Sequence, residues 1–463
     1  MISLKASEIA ALVGGTLHGE DVVVCANPVI DSRAATTGSL FIAIKGEKVD
    51  GHDFVSDAQS HGAVLTLAER AVAGPHILVG NTVEALGVLA HEVRSRLSGL
   101  TVIGITGSQG KTTTKELLAS VLSTVAPTMA PHGNYNNEIG APLSLLQCDE
   151  KTRFCIVEMG ARHKGDIAHL CRIAVPDVGV VLRVGTAHVG EFGSQAAIAE
   201  TKSELISTLQ PTAIAVLGQY DEFTPKMSAL HQGRVVTFGE SSGCEIRATD
   251  IEIREGRAHF DLVTPEGRTA VGLRIVGLHQ VANALAVAAV ASVLGLTLDQ
   301  IAGGLSTAES SAKWRMEISE LGSLVLINDS YNASPEATSA ALQTLVHFAQ
   351  ERGGEAWAFL GKMHELGESS DQDHAAIGTL ASELGIDHLV CVAAPEYAQA
   401  IPTDSATTVH TFASKEEAAS MVASMNKGDV VLVKASRSEK LEELAELITQ
   451  AWSKRIQEMA DTE

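Results

Sequence analysis

The sequence lacks the features by which a disulfide framework or a cysteine metal site is recognised. Its 463 residues contain six cysteines, with no Cys-x-x-Cys pair and no regular spacing between them. Several lie inside apolar runs, as Cys155 does in residues 154–157. This pattern predicts reduced thiols in the core of a cytoplasmic protein, and it gives no sign of a structural or redox metal centre.

The sequence also lacks the marks of a membrane protein and of a nucleic-acid-binding protein. Its most apolar stretch, residues 281–296, is interrupted by Asn283, Ser292 and Gly295, and the N-terminal residues have no apolar core of an export signal. The formal net charge is −22, and no run of Lys and Arg forms a basic patch that could attract a phosphate backbone. We therefore expect a cytoplasmic monomer with no membrane span and no nucleic-acid partner.

The length of the chain and its alternating pattern predict an α/β protein of several domains. A chain of 463 residues exceeds one typical core and predicts roughly two to four domains. Short β-rich apolar runs alternate with helical segments, which favours two doubly wound sheets. Residues 237–273 alternate between polar and apolar side chains and predict antiparallel hairpins appended to the first sheet. The predicted strands are 40–44, 63–65, 154–157, 178–184, 213–217, 324–328, 357–360, 388–392 and 430–433.

A glycine-rich segment, residues 104–113, lies between an apolar run and a strongly helical sequence. In such a turn, backbone N–H groups can approach polyphosphate oxygens, Lys111 adds positive charge, and the Thr112 hydroxyl can reach Mg²⁺. The first glycine falls at Gly104, one residue before its usual position, and a chance Gly-Lys-Thr in a turn remains the alternative. The segment predicts a site for ATP or GTP formed by Thr106, Gly107, Ser108, Gln109, Gly110, Lys111, Thr112 and Thr113.

Two further residues are candidates for a metal site beside this loop. Glu158 ends one predicted strand, and His188 follows another shortly after its end. Because ligands of open α/β sheets bind at the carboxyl ends of the strands, both side chains are expected at the edge that carries Lys111 and Thr112. Either residue taken alone could equally be a solvated loop residue.

These segments together resemble the Mur ligases, the ATP-dependent amino-acid and peptide ligases of peptidoglycan synthesis. The resemblance lies in residues 106–112, 157–160 and 185–188 and extends over essentially the whole chain. It implies an α/β protein of three domains: a small N-terminal α/β domain for a UDP-substrate (1–98), a central phosphate-loop domain with appended antiparallel strands (99–311) and a C-terminal Rossmann-like ligase domain (312–463). It also implies a carboxylate–amine ligase that works through an acyl phosphate.

Other segments resemble particular members of that family. Residues 31–41 and 50–54 resemble the uridine-nucleotide domain of the third and fourth ligases of the pathway, whereas 132–143, 329–335 and 360–368 resemble the fourth alone. No Asp-Asn-Pro-Arg tetrapeptide, expected of the third ligase, is present. The implied substrates are UDP-N-acetylmuramoyl-tripeptide and D-alanyl-D-alanine, and the third residue of the peptide stays open. The implied substrate contacts are Asp31, Ser32, Arg33, Asn136, Asn137, Tyr331 and Asn332.

The resemblance also implies roles that local sequence could not supply. It assigns Lys202 as a carbamylated ligand of a second metal opposite His188, so that Lys111, Lys202 and His188 form the catalytic set. A carbamate needs a neutral amine, whereas the local sequence, with Glu200 and Glu204 nearby, is equally typical of a solvated helix lysine. The implied ATP contacts are Asn283 for adenine, Arg315 for the phosphates after domain closure and Asp329 for the ribose.

Several alternatives stay open at this point. Asn283 could be an ordinary polar residue at a helix start, and Arg315 a surface contact. Arg183, Asn328 and Lys362 depart from the family pattern and receive no role. A folylpolyglutamate synthetase shares the phosphate loop and the lysine but would carry that loop near its chain start. An ATP-binding switch without ligase activity is the non-enzymatic alternative.

Overall fold

A computed structural model describes residues 1–131, 133, 135–187, 189–309 and 313–460. The strands of this part of the chain are β1 (Leu4–Lys5), β2 (Thr16–His18), β3 (Val23–Val24), β4 (Ser39–Ile42), β5 (Ala63–Ala68), β6 (His76–Leu78), β7 (Thr101–Thr106), β8 (Thr128–Met129), β9 (Phe154–Glu158), β10 (Val178–Val181), β11 (Ile214–Gly218), β12 (Arg234–Gly239), β13 (Ile246–Arg254), β14 (Arg257–Thr264), β15 (Gly267–Val276), β16 (Glu317–Leu321), β17 (Leu324–Asn328), β18 (Ala356–Leu360), β19 (His388–Val392), β20 (Thr408–Phe412) and β21 (Val430–Lys434).

The α-helices of the same residues are α1 (Ala6–Val13), α2 (Val55–Ser60), α3 (Thr82–Arg96), α4 (Lys111–Ser123), α5 (Gly140–Leu145), α6 (Asp166–Ala174), α7 (Val189–Phe192), α8 (Gln195–Ser207), α9 (Gln280–Val293), α10 (Leu298–Thr307), α11 (Pro335–Arg352), α12 (Ser370–Glu383), α13 (Lys415–Ala419) and α14 (Glu442–Ala460). Among these described helices, none combines the length and the apolar character needed to cross a bilayer.

The first of two compact units comprises residues 1–182, 200–238 and 289–296. Near the N-terminus it contains the four-stranded sheet β2-β6-β5-β4. Its larger sheet runs β12-β11-β10-β7-β9-β8, and every neighbouring pair in that run is parallel. The central strands β7, β9 and β10 are almost continuously apolar and buried, as expected of parallel strands covered on both faces by helices.

The second compact unit comprises residues 183–199, 239–288 and 297–463. It contains the antiparallel run β13-β14-β15 and the sheet β16-β17-β21-β18-β19-β20, in which β16 alone is antiparallel. One face of this sheet packs on α11 and α12 through Leu345 and Ile377, and the other packs on α14 through Trp452. Helices therefore cover both faces of this sheet. Together with the strand order, in which β21 lies between β17 and β18, this arrangement makes the sheet doubly wound.

The predicted fold class is confirmed, with parallel helix-covered sheets and an antiparallel addition at residues 246–276. The boundaries at residues 98 and 311 stay a prediction. The strand predicted at 178–184 is wrong at its end, because β10 stops at Val181 and the chain then leaves the sheet. The prediction of core thiols holds for five cysteines but is wrong for Cys25, which is exposed just after the two-residue strand β3.

Candidate functional site

The phosphate loop of the first unit connects β7 to α4. Gly110 directly precedes the helix with φ +82°, a left-handed conformation that side-chain-bearing residues rarely adopt. The Lys111 ammonium donates to the Gly107 carbonyl oxygen over 2.7 Å, which keeps this charge above the loop. The first N–H groups of α4 point toward the same space and favour an anion there. The loop therefore has the geometry of a phosphate site.

Glu158, at the end of β9, is the buried carboxylate beside this loop, with 1% of its surface exposed. One carboxylate oxygen accepts from the Thr112 hydroxyl at 3.1 Å, and the other accepts from the Asn136 amide at 3.0 Å. Both partners are neutral, so a cation would offset the cost of burying this charge. A carboxylate and a hydroxyl oxygen are suitable Mg²⁺ ligands, so these residues fit a magnesium ion.

Metal binding by side chains alone is limited at this site. In the described residues, no group of three or more His, Cys, Asp or Glu is arranged to hold a metal. Magnesium usually keeps few protein ligands and completes its shell with phosphate and water oxygens, which agrees with a two-ligand site. His188, the other expected metal ligand, lies outside the described residues.

Lys115 is a buried positive charge that the sequence analysis missed. It lies on α4 with 1% of its surface exposed, and its ammonium donates to the carbonyl oxygens of Pro131 and Gly133, each at 2.7 Å. A few residues further along the chain, the Asn136 carbonyl accepts from Gly160 N–H at 2.8 Å. Lys115 therefore ties the phosphate-loop helix to the loop that supplies Asn136 to Glu158. Its spacing from the buried Leu118 and Leu122 on the same helix face was the available signal.

Lys202 is buried on α8, with 8% of its surface exposed. Burial, together with the nearby positive charge of Lys111, lowers the pKa of this amine well below its usual value. The neighbouring acids bind elsewhere: Glu200 pairs with Lys164 at 2.5 Å, and Glu204 accepts the Gly165 N–H at 2.7 Å. The alternative of a solvated helix lysine is therefore wrong, and the site favours the neutral amine that carbamylation requires.

In the second unit, the candidates near the start of the C-terminal sheet lie together. Arg315 stacks on the ring of Tyr331, with 4.0 Å between guanidinium carbon and ring centroid. Asp329 accepts from the Met316 N–H at 3.1 Å and pairs with the buried ammonium of Lys434 at 2.5 Å. The same ammonium donates to the Asn332 carbonyl at 2.8 Å. Four candidates scattered over 315–332 thus form one polar cluster.

His279 is a neighbour of this cluster that the sequence analysis did not assign. Burial lowers the pKa of its imidazole to about 4, an effect that the nearby carboxylate of Asp329 opposes and the charge of Lys434 reinforces. Its Nε2 atom is 3.0 Å from the Gln280 amide nitrogen, and the Asn283 amide donates to the Gln280 side-chain oxygen at 2.7 Å. Asn283 thus lies in the first turn of α9, and its side chain is oriented by the Gln280 side chain, while its role stays a prediction.

Candidates for UDP-substrate binding include a pre-formed ion pair. Arg33 donates through Nε and Nη2 to the two carboxylate oxygens of Asp31 at 2.9 and 2.7 Å, and this pairing lowers the pKa of Asp31 to about 2. Arg33 is largely exposed, whereas Ser32 is buried. Asn137, expected to contact substrate, accepts the Gly140 N–H at 2.9 Å and so caps the start of α5.

Comparison with known proteins agrees with this geometry. Three family models match the chain: the Mur ligase middle domain over residues 105–291, the Mur ligase glutamate ligase domain over 314–437 and the Mur ligase family catalytic domain over 28–97. The chain belongs to the Mur ligase family.

Individual relatives show which members of the family the chain is similar to over nearly its whole length. The chain is 37% identical to a UDP-N-acetylmuramoyl-tripeptide–D-alanyl-D-alanine ligase of Mycobacterium tuberculosis, with 97% of this chain and 98% of that protein covered. A solved MurF from Acinetobacter baumannii matches with a TM-score of 0.89 at 33% identity, over 97% and 99% of the two chains. A MurF ligase from Thermotoga maritima, solved with ADP, matches with a TM-score of 0.81 at 33% identity, over 93% and 98%. The resemblance and the three-domain α/β architecture inferred from sequence are thereby confirmed.

The buried Lys115 generates a first prediction. Replacing it in Lys115→Met removes the donor of two carbonyl groups, and each unsatisfied buried group costs about 1–3 kcal/mol. We expect the free energy of unfolding, measured by urea titration, to fall by roughly 2–4 kcal/mol. Lys151→Met, at an exposed position, is the matched control. Equal stability of the two variants would contradict the proposed tie.

The depressed pKa of His279 generates a second prediction. Between pH 6.5 and 4 the unfolded chain binds a proton that folded His279 refuses, so this group destabilises the fold as pH falls through that window. In His279→Gln, the loss of unfolding free energy from pH 7 to pH 5 should be smaller than in the wild type by about 1–2 kcal/mol. The largely exposed His163, changed to Gln, is the control. Identical pH dependence of wild type and His279→Gln would refute the assignment.

Proposed function

We propose that this chain is an ATP-dependent ligase that joins D-alanyl-D-alanine to UDP-N-acetylmuramoyl-tripeptide and releases ADP and phosphate. The observation that carries the proposal is the full-length similarity to ligases of that name. The phosphate loop, the buried Glu158 and the buried Lys202 support the same chemistry.

The proposed reaction has two steps. The terminal carboxylate of the tripeptide takes the γ-phosphoryl group of ATP, which turns a poor leaving group into an acyl phosphate. The amine of D-alanyl-D-alanine then attacks the carbonyl carbon, an amide bond forms, and phosphate departs with the C–O bond electrons. Since phosphoryl transfer depends mainly on positioning and charge neutralisation, the site must gather cations around the phosphates.

The chain's own residues supply part of that requirement. Lys111 places its ammonium above the loop, where it neutralises terminal phosphate charge. Thr112 and Glu158 would hold one Mg²⁺, and Asn136 orients the Glu158 carboxylate. When bound, Mg²⁺ neutralises phosphate charge and orients the γ-phosphoryl group for transfer. Because hydrogen bonds orient these groups before ligands arrive, they need little rearrangement during the reaction.

Lys202 is proposed as the anionic ligand of a second Mg²⁺, with His188 as its partner. Its amine attacks CO₂ and loses a proton, which converts a neutral side chain into a carbamate anion. This needs an unprotonated amine, and the burial of Lys202 beside Lys111 supplies that condition. The anion formed would also relieve the repulsion that a second buried ammonium would experience near Lys111.

Further residues are proposed to contact ATP and the two substrates. We assign Asn283 to adenine, Arg315 to the phosphates and Asp329 to the ribose. Uridine-substrate recognition is assigned to Asp31, Ser32 and Arg33, and contacts to the peptide substrates to Asn136, Asn137, Tyr331 and Asn332. Support comes from their clustering: the Asp31–Arg33 pair and the Asp329–Tyr331–Asn332 cluster both present hydrogen-bonding groups from fixed backbones.

A single assay separates this function from its alternatives. ADP release is measured with and without D-alanyl-D-alanine, using UDP-tripeptides that carry either lysine or diaminopimelate at the third position. The ligase releases ADP when both substrates are present, and the preferred tripeptide identifies the third residue. The same rate of ADP release with and without the dipeptide would indicate an ATP-driven switch. In a parallel reaction with a folate and glutamate, addition of glutamate to the folate would indicate a folylpolyglutamate synthetase.

The separation of ATP chemistry from uridine binding gives a third prediction. Lys111→Ala should lower kcat by roughly 100-fold or more, because a cation at the transferring phosphoryl group is lost. Its dissociation constant for UDP-tripeptide, measured by calorimetry, should stay within about twofold of the wild type. Arg33→Ala should instead raise KM for the UDP-substrate more than KM for ATP. Equal weakening of uridine binding and turnover in Lys111→Ala would contradict this division.

The carbamate gives a fourth prediction. Activity should fall when CO₂ and bicarbonate are stripped from the buffer and return when bicarbonate is added. Lys202→Ala should be nearly inactive but partly restored by acetate, which can occupy the vacated anionic position. The exposed Lys226, changed to Ala, is the control and should depend on CO₂ as the wild type does. Rescue by methylamine and not by acetate would show that Lys202 acts as a cation instead.

A further inference from the structure

Glu336 contacts Thr186, a residue far away in the sequence. The reaction proposed above assigns no role to this contact. Glu336 lies in the first turn of α11, and one of its carboxylate oxygens accepts two hydrogen bonds from Thr186. The Thr186 backbone N–H is 2.6 Å away and the Thr186 hydroxyl 2.8 Å. The other carboxylate oxygen accepts from the Ser334 hydroxyl at 3.3 Å. Each oxygen of this half-buried carboxylate is therefore held in place.

A second contact holds the same segment four residues further on. The Gly190 N–H donates to the Glu365 carbonyl oxygen at 3.0 Å. A Cβ atom at position 190 would lie 2.7 Å from the Gly367 nitrogen and 2.9 Å from that carbonyl oxygen, so two backbones meet where no side chain fits. Residues 183–199 and 297–463 belong to the same compact unit, which makes these contacts part of its internal structure.

The two contacts lie on either side of position 188. After β10 ends at Val181, the chain has left the sheet, so the backbone N–H groups of Thr186 and Gly190 need partners from elsewhere. Glu336 provides one partner from the first turn of α11, and the Glu365 carbonyl provides the other from the loop that follows β18. Thr186 and Gly190 are thus each held by a contact to a distant part of the same compact unit.

We infer that Glu336 is a positioning residue for the ligase reaction, acting through Thr186 on the segment that carries the expected metal-binding residue. The role rests on the proposed function, since it gives the anchored segment 186–190 its catalytic purpose. An acidic side chain in the first turn of a helix is ordinarily explained by the helix dipole alone. The two short bonds to Thr186 go beyond that explanation, because they leave α11 and reach a distant loop.

The first test measures the anchoring itself, without substrate. In amide hydrogen exchange, a peptide covering residues 184–191 should exchange at least about tenfold faster in Glu336→Ala than in the wild type. Glu336→Gln keeps an acceptor oxygen without its charge, so its exchange rate should lie between those of the wild type and Glu336→Ala. Glu383→Gln, an exposed acid on α12, is the matched control and should leave the peptide unchanged. Unchanged exchange in Glu336→Ala would overturn the inference.

The second test asks whether the anchoring serves catalysis. With both substrates present, Glu336→Ala should lower kcat about tenfold or more and raise the Mg²⁺ concentration for half-maximal activity at least about threefold. Thr186→Val removes the hydroxyl and keeps the N–H, so its kcat should fall less than that of Glu336→Ala. The double variant should be no worse than Glu336→Ala, because Glu336 acts through Thr186. Kinetics equal to those of Glu383→Gln, despite faster exchange, would overturn the positioning role.

The glycine contact offers an independent variant. Gly190→Ala should separate the two backbones and accelerate exchange over 184–191, whereas Gly303→Ala, at a helical position with open space, is the control. A loss of thermal stability in Glu336→Ala with no change in Mg²⁺ dependence would show a purely structural role and overturn the inference. If the wild type fails to ligate these substrates while the exchange effect is present, the proposed function fails and the anchoring stands.

Discussion

The buried carboxylate of Glu158 is the interaction on which the candidate site depends most. A carboxylate with 1% exposure is stable only when hydrogen bonds and a nearby cation compensate for lost hydration. Thr112 reaches it from the phosphate-loop helix, and Asn136 reaches it from the loop that Lys115 secures. Strand, helix and loop are thus joined at one charged group, and because the two hydrogen-bond partners are neutral, the proposed Mg²⁺ would complete the charge balance.

Lys202 illustrates the same constraint with the opposite sign. A buried ammonium near another positive charge is unfavourable, so the amine of Lys202 sheds its proton more readily than an exposed lysine does. A neutral amine is a nucleophile that can capture CO₂, and its carbamate is an oxygen donor suited to Mg²⁺. The burial that would destabilise a structural lysine is therefore the property that the proposed carbamylation needs.

The sequence predicted those parts of the structure that depend on local pattern. The Gly-Lys-Thr turn, the strand ending in Glu158 and the alternation of strands and helices are all local signals, and each is found in the fold. Lys115 and Glu336 were missed because their contacts depend on loops that only the folded chain brings near them, and several of their partners are backbone carbonyl and N–H groups. The early end of β10 was missed because Leu182 and Val184 extend the apolar pattern past Val181 on either side of Arg183, and both are buried although they lie outside the strand.

Lys115 and Glu336 solve the same problem in the two compact units. Pro131, Gly133 and Thr186 lie outside the regular helices and strands, so their backbone groups need other partners to be buried or fixed. A lysine supplies donors to two carbonyl groups in one loop, and a glutamate supplies an acceptor to an N–H in the other. Because most of these bonds are made to backbone groups, they fix the path of each loop, and the Thr186 hydroxyl adds one side-chain contact. Irregular segments that are held in this way can carry functional groups on a rigid α/β frame.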